Sequence, residues 1–205
     1  MVESPTIYLL RSDEAFASLY VDGSDAFFWK SLDLFDGTAI ADLPPIAYSR
    51  DSSDADLPIG DFIYGIPILL MSRRAVEALG SILLAHGQLF PVTASEGEFF
   101  AYNITTLVDA LDREHSDMEM WPHLKREREA GIPRHIHHVM RYWFYAERVE
   151  GIDIFKLPEF PHTEVYVSDH FVYEVERTGL RGFRFERLWS PGDPMPDLRP
   201  RRLPG

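Results

Sequence analysis

The stretch that decides the fold runs from Phe90 to Ser116 and reads FPVTASEGEFFAYNITTLVDALDREHS. Two β-rich runs, 88–92 and 99–104, flank turn residues at 94–97, and this pattern predicts a β-hairpin. The polar side chains in and after the second run are compatible with an active site. They are equally compatible with turns in which side chains bind the backbone. These polar residues are Asn103, Asp109, Asp112 and Ser116.

An amphipathic helix is predicted immediately before this hairpin. Ser72 is a good N-cap, and Val76, Leu79 and Leu83 recur at spacings of three and four residues. Gly87 marks the end of the helix. The chain therefore enters the hairpin from a helix of about three turns.

The N-terminal part begins with a predicted strand at 6–10 and is otherwise rich in Asp, Ser, Gly and Pro. Within residues 22–61 we expect only short strands, at 26–29 and 39–41. A further short strand or turn is predicted at 61–64.

The second half of the chain mixes strands and helices. A long aromatic run, 134–149, predicts a central strand covered on both faces, with 152–157 as its hairpin partner. Residues 171–177 form a predicted helix, capped by Ser168 or Asp169 and ended by Gly179. The remaining predictions are a helix around 125–130, strands at 165–167 and 182–188, and an extended, poorly ordered Pro- and Arg-rich tail at 190–205.

Strands and helices follow one another without strict βαβ alternation. This order predicts an α+β fold, mostly antiparallel sheet with a few short helices packed on it. We assign residues 1–189 to a single α+β domain, of which 1–61 are an acidic, loop-rich part and 62–189 the core. Residues 190–205 form the tail.

Composition limits the class of protein. The chain has 205 residues and is 45% hydrophobic, values typical of a folded globular protein. It has no cysteine, which excludes disulfides, thiolate metal sites and cysteine nucleophiles. The N-terminus lacks the features of a signal peptide, and the longest apolar run, 63–71, is broken by Gly65 and Pro67. We therefore expect a soluble, cytoplasmic protein without a membrane partner.

The charge is uneven along the chain. The net charge is −13, and residues 1–61 carry 12 acidic against 3 basic side chains, a net of −9. An acidic surface repels nucleic acid and attracts basic partners. The alternative is that the acidity serves only solubility.

Two clusters could carry chemistry. His135, His137 and His138 are metal-like, since alternate residues share a strand face, but the spacing supplies no further ligand. Asp109 and Asp112 could work as acid and base or hold a divalent ion, yet the same spacing serves caps and Asx-turns. Nucleophile elbows, phosphate loops and dinucleotide fingerprints are absent. We predict no catalytic, metal or cofactor residue, with a metal-assisted hydrolase as the less favoured alternative.

Tryptophan is favoured at protein interfaces, although a single tryptophan is more often part of a core. The chain has four: Trp29, Trp121, Trp143 and Trp189.

An ordered series of fragments resembles a known family. The fragments are SRRA (72–75) with AL (78–79), FPV (90–92), YNI (102–104), VDALD (108–112) with Ser116, IFKLP (154–158), VYVSD (165–169) and TGLRGFRF (178–185). Their succession resembles the Imm11 (DUF1629) immunity-protein family of bacterial polymorphic toxin systems, over residues 62–188.

This resemblance implies an α+β fold and a non-enzymatic role, in which the protein binds and blocks a cognate toxin domain. It supplies no catalytic residues, and it implies that the matched positions determine the fold. Those positions include Asn103, Asp109, Asp112, Phe155, Lys156 and Gly179.

Specificity for one toxin requires exposed, variable surface, which the acidic N-terminal part offers. A basic toxin would be steered towards acidic loops. The candidate partner-binding residues are Asp51, Asp54, Asp56 and Asp61. The alternative is a regulatory or structural interaction module with a non-toxin partner.

Overall fold

The computed structural model describes residues 5–22, 34–65, 68–122, 124–130 and 135–195. Its elements are numbered here in chain order. The strands are β1 (Ile7–Ser12), β2 (Leu19–Val21), β3 (Ala47–Arg50), β4 (Phe62–Gly65), β5 (Ile68–Ser72), β6 (Gly87–Ala94), β7 (Gly97–Ile104), β8 (Asp117–Met120), β9 (Ile136–Arg141), β10 (Ile154–Phe155), β11 (Tyr166–Ser168) and β12 (Phe183–Trp189). The helices are α1 (Arg73–His86), α2 (Lys125–Glu129), α3 (Ala146–Val149) and α4 (Asp169–Thr178), with a 3-10 helix at Ser52–Asp54.

The predicted hairpin lies inside a six-stranded sheet with the order β2-β3-β6-β7-β5-β4. β6 and β7 pair along their whole length, from Gly87 opposite Ile104 to Ala94 opposite Gly97. The other pairings in this sheet are antiparallel except for the parallel contact of β3 with β6. The predicted α+β class with a mostly antiparallel sheet is confirmed.

A four-stranded sheet has the order β10-β11-β1-β12. β1, from the start of the chain, lies antiparallel between β11 and β12, which come from its C-terminal part. The predicted opening strand is therefore held by non-local pairing. β8 and β9 pair with each other, and we call this two-stranded unit the arm.

Both predicted helix caps are present. Ser72 Oγ accepts a hydrogen bond of 3.1 Å from the Ala75 backbone N–H, which confirms the start of α1. Ser168, rather than Asp169, caps α4 by accepting from the Phe171 N–H at 3.1 Å. Gly179 ends α4 in the left-handed conformation, as predicted.

The largest hydrophobic cluster joins the six-stranded and four-stranded sheets through helices α1 and α4. It contains Leu79 of α1, Phe171 of α4 and Val167 of β11. Along β5, Met71 lies in this cluster while Leu70 lies in the cluster on the opposite sheet face. Alternation of this kind follows from the two-residue period of a strand, and it leaves the six-stranded sheet covered on both faces.

A close contact, which we call the junction, connects the start of β4, the start of α1 and the turn before β12. The Asp61 carboxylate accepts from the Ser72 hydroxyl at 2.8 Å and from the Arg181 backbone N–H at 3.0 Å. Gly182 has a φ of 90°, and a Cβ there would lie 2.4 Å from the Phe62 carbonyl oxygen. Only glycine allows the two backbones to approach this closely.

The N-terminal part differs from the prediction in two places, and a third predicted strand lies outside the described residues. Residues 39–41 form no strand, because Ile40 bonds instead to the Gln88 side chain, whose amide exchanges hydrogen bonds with the Ile40 N–H and carbonyl. The strand at 47–50 was missed, and it pairs in parallel with β6 through only two residue pairs. The predicted strand at 26–29 is not among the described residues.

The long aromatic run at 134–149 is not a central strand. β9 ends at Arg141 and, among the strands of the described residues, pairs with β8 alone; the chain then turns into α3. Tyr142 and Phe144 are buried in a second hydrophobic cluster, so the aromatic pattern reflects core packing rather than a sheet. Residues 152–157 are not its hairpin partner, since β10 pairs with β11.

The first residues of the tail form a turn, closed by a 2.9 Å hydrogen bond from the Asp193 N–H to the Ser190 carbonyl. This differs from the extended conformation predicted there. The Asp193 carboxylate also accepts from the Ser190 N–H and binds Arg187, which keeps the turn against β12. Residues 196–205 are not described.

Replacing Gly182 with alanine tests the junction. We expect Gly182→Ala to lower the free energy of unfolding by about 2–4 kcal/mol, because the new Cβ meets backbone and the φ is strained. Urea denaturation measures the change. Gly80→Ala is the control: nothing lies within 4 Å of its Cβ, and a mid-helix alanine should add about 0.5–1 kcal/mol. Equal urea midpoints for Gly182→Ala and the wild type would contradict the proposed constraint.

Candidate functional site

The polar residues after β7 (Asp109, Asp112 and Ser116), which we call the polar corner, bind nearby backbone and side chains. Asp112, 5% exposed, accepts from the backbone N–H groups of Glu114 and His115 at 3.0 and 3.2 Å, and its second oxygen lies 2.7 Å from His115 Nδ1. Burial disfavours the charged carboxylate, but these hydrogen bonds together hold the pKa of Asp112 below its usual range. Asp112 therefore acts as an Asx-type cap.

The other corner residues have structural partners as well. Asp109 pairs with Arg113 at 2.9 Å and with Arg148 at 3.3 Å. Ser116 Oγ accepts from the Trp143 N–H at 3.0 Å and lies 3.3 Å from the Trp143 carbonyl oxygen. The interpretation of Asp109 and Asp112 as fold-forming residues is confirmed by these contacts.

The three clustered histidines do not converge. His137 contacts the Trp121 ring, with centroids 3.9 Å apart, and its Nδ1 lies 3.8 Å from Glu119. His138 lies opposite Glu119 in the β8–β9 ladder, and His135 precedes the strand. Within the described ranges, no three His, Asp or Glu side chains are grouped as metal ligands would be.

Lys156, 5% exposed, is a buried charge with a structural task. Its Nζ donates to the Phe35 carbonyl at 2.7 Å and to the Pro161 carbonyl at 2.6 Å, joining segments far apart in the chain. Burial lowers the pKa of Lys156 to about 8, and the negative charge of Asp36 opposes this shift. Because both carbonyls are satisfied by the amine, Lys156 supports the fold as the resemblance implied.

The four predicted partner-binding aspartates fall into two groups. Asp61 is 12% exposed at its side chain and is used by the junction, where it also binds Arg74 at 2.8 Å. Asp51, Asp54 and Asp56 lie together in residues 51–56, which we call the acidic turn.

Internal contacts hold the acidic turn in place. Asp51 caps the 3-10 helix, and hydrogen bonds from the Ser53 backbone and hydroxyl lower the pKa of Asp51. Asp54 accepts from the Ser18 N–H at 2.8 Å. Arg50 donates to the Ala55 and Leu57 carbonyls at 3.0 and 2.9 Å. Asp56 is exposed, so the turn presents negative charge on a pre-organised backbone.

The arm carries a second exposed surface, which the sequence did not reveal. Trp121, directly after β8, is 54% exposed, and Met140 of β9 is 56% exposed. Trp189, by contrast, is 2% exposed in the core. Because the aromatic run favoured a buried central strand, the exposure of its first half could not be read from periodicity.

A groove of about 530 Å³ follows the outer edge of β6, between Pro44 and Pro45 on one side and Phe90 and Pro91 on the other. The Thr93 N–H points to this edge, where it binds the Ile46 carbonyl. The missing N–H of Pro91 therefore falls on the same edge, a place in a sheet where proline is tolerated.

The profile of an immunity protein family (Imm11) matches residues 41–189. The chain belongs to this family, since the match spans most of its length. The match begins ahead of the predicted core boundary at 62 and so includes the acidic turn. A comparison with curated proteins finds no match. Among the described residues, the structure contains no helix with the length and apolar character needed to cross a membrane.

The two groups of aspartates should respond differently to substitution. We expect Asp61→Asn to lower the free energy of unfolding by about 1–3 kcal/mol. The single amide oxygen cannot accept both from the Ser72 hydroxyl on one side and from Arg181 and Arg74 on the other, and the charge that pairs with Arg74 is lost. Asp56→Asn, on the exposed turn, should change it by less than about 0.5 kcal/mol. Thermal and urea unfolding of both variants make the comparison. Equal losses would show that Asp61 has no special place in the fold.

Lys156 should make stability depend on pH. Its folded pKa of about 8 lies below the ordinary 10.5, so the unfolded chain binds more protons between these values and stability rises with pH there. From pH 7.5 to 9.5 we expect a gain on the order of 1–2 kcal/mol that Lys156→Met lacks. Buried tyrosines also make stability depend on pH, because their unfolded pKa is near 10, but their effect is the same in the wild type and in Lys156→Met. Parallel stability curves for the two proteins would contradict the assignment.

Proposed function

We propose that this protein neutralises a cognate toxin domain by binding it, without chemistry of its own. Membership in the immunity protein family is the observation that carries this proposal. The structure supports it, because the carboxylates that resembled a site, Asp109 and Asp112, are engaged in internal hydrogen bonds and ion pairs.

We propose further that the acidic turn helps to capture a basic toxin. Asp51, Asp54 and Asp56 are concentrated on one pre-organised loop, so little conformational entropy is lost when it docks. Complementary charge raises the association rate more than it lowers the dissociation rate. Asp61 contributes to this field but is held by the junction, and we assign it a structural role.

Co-expression tests the central proposal. The product of a neighbouring gene that arrests growth is expressed with and without this chain, and we expect growth to be restored only when the chain is present. The purified pair should then form a stable complex. If no neighbouring gene product is neutralised, the immunity role is wrong and a non-toxin partner becomes the better hypothesis.

The acidic turn is tested by association kinetics on that pair. The triple variant Asp51→Asn, Asp54→Asn, Asp56→Asn keeps each oxygen acceptor and removes three charges. We expect its association rate to fall about tenfold at low salt and to approach the wild-type rate at high salt, with dissociation little changed.

The matched control removes three exposed carboxylates elsewhere, by Glu147→Gln, Glu150→Gln and Glu176→Gln on and beside α3 and α4. The same change in net charge should slow association much less. Equal slowing by the two triple variants would assign the effect to net charge alone, and no slowing by either would remove steering from the proposal.

A further inference from the structure

A pocket of about 260 Å³ opens between the arm and the segment that follows β10. Its apolar wall is formed by Met118, Met120, Ile136 and Pro158. Glu159, Arg113 and His135 supply its polar lining, and the pocket is built from other elements than the acidic turn. None of its lining residues belongs to the polar corner or to the predicted partner-binding set.

Glu159 is the unusual member of this pocket. Its side chain is only 11% exposed, and the Arg113 guanidinium forms an ion pair with Oε1. Among the described residues, Oε2 has no hydrogen-bond partner. A buried carboxylate with an unmet oxygen is costly, so a better donor at this position would be stabilising.

Arg113 covers the carboxylate and has a second partner. Its guanidinium is 49% exposed and holds Asp109 at 2.9 Å. Arg113 can therefore turn towards Asp109 and uncover Glu159 without losing its own charge pairing. The hydrogen bond from Arg113 to Asp109 is already present and is kept, so only the contact with Glu159 is given up.

We propose that this pocket receives a lysine side chain of the bound partner. The apolar wall matches the four-carbon stem of lysine, and Glu159 Oε2 accepts from its ammonium group. Lysine fits better than arginine, because its ammonium is a compact point charge at the end of an apolar stem, whereas the planar fork of arginine needs both carboxylate oxygens side by side.

This assignment rests on the proposed binding of a partner protein, but the pocket can be tested without one. The probe is n-butylammonium, titrated into the protein labelled with ¹³C at its methionine methyl groups. We expect the Met118 and Met120 signals to shift saturably, while those of buried Met71 and of distant Met195 stay in place.

Butan-1-ol, of the same length and without charge, should leave the Met118 and Met120 signals unshifted, and this comparison needs no variant. Glu159→Gln, checked for its unfolding temperature, should weaken n-butylammonium binding at least tenfold. Equal shifts with the alcohol, or an unchanged response in Glu159→Gln, would overturn the ammonium site.

A second measurement asks whether the partner uses the pocket. With the cognate toxin, Glu159→Gln should raise Kd at least tenfold while the exposed control Glu147→Gln leaves it unchanged. If the toxin binds Glu159→Gln as tightly as the wild type, the lysine pocket is wrong although the immunity role stands. If no toxin binds the wild type, the immunity role fails, and the n-butylammonium titration alone decides the pocket.

Discussion

The structure depends on one polar contact between the six-stranded and four-stranded sheets, centred on the Asp61 carboxylate. Its two oxygens bind the hydroxyl that caps α1 and the backbone N–H of Arg181, just ahead of β12. The helix start, the end of β4 and the entry to β12 are thereby fixed together. Gly182 allows this geometry, because the Phe62 carbonyl occupies the space that a Cβ would need. Phe62 belongs to the hydrophobic cluster that joins these sheets, so the same backbone contact borders that cluster.

This constraint separates residues that look equivalent in the sequence. Asp56 and Asp61 both lie in an acidic, loop-rich region, and charge counting treats them alike. Asp56 faces solvent, whereas Asp61 has a side chain 12% exposed and three bonded partners. Net charge therefore predicts how the protein attracts partners, but it does not predict which carboxylates remain available to them.

The sequence predicted the elements whose signals are local. Ser72 and Ser168 bind backbone N–H groups three residues ahead, and Gly179 adopts the left-handed conformation that ends a helix. Residues 142–145 could not be predicted in this way, because their backbone is satisfied by distant partners such as Ser116 and Ala110. Their alternating aromatic rings pack in a core that the one-dimensional pattern does not represent. The acidic turn was located by composition, whereas the Glu159 pocket depends on contacts between segments far apart in the chain.

The polar corner connects the locally determined elements to the Glu159 pocket, which depends on non-local contacts. Asp112 and Ser116 fix the backbone after β7, and this leaves Asp109 at the surface, where it holds Arg113. Arg113 in turn reaches Glu159, so one guanidinium joins a fold-forming motif to a pocket on the arm. When a partner lysine engages Glu159 as proposed, the corner contributes to recognition indirectly, because Asp109 keeps its ion pair with Arg113.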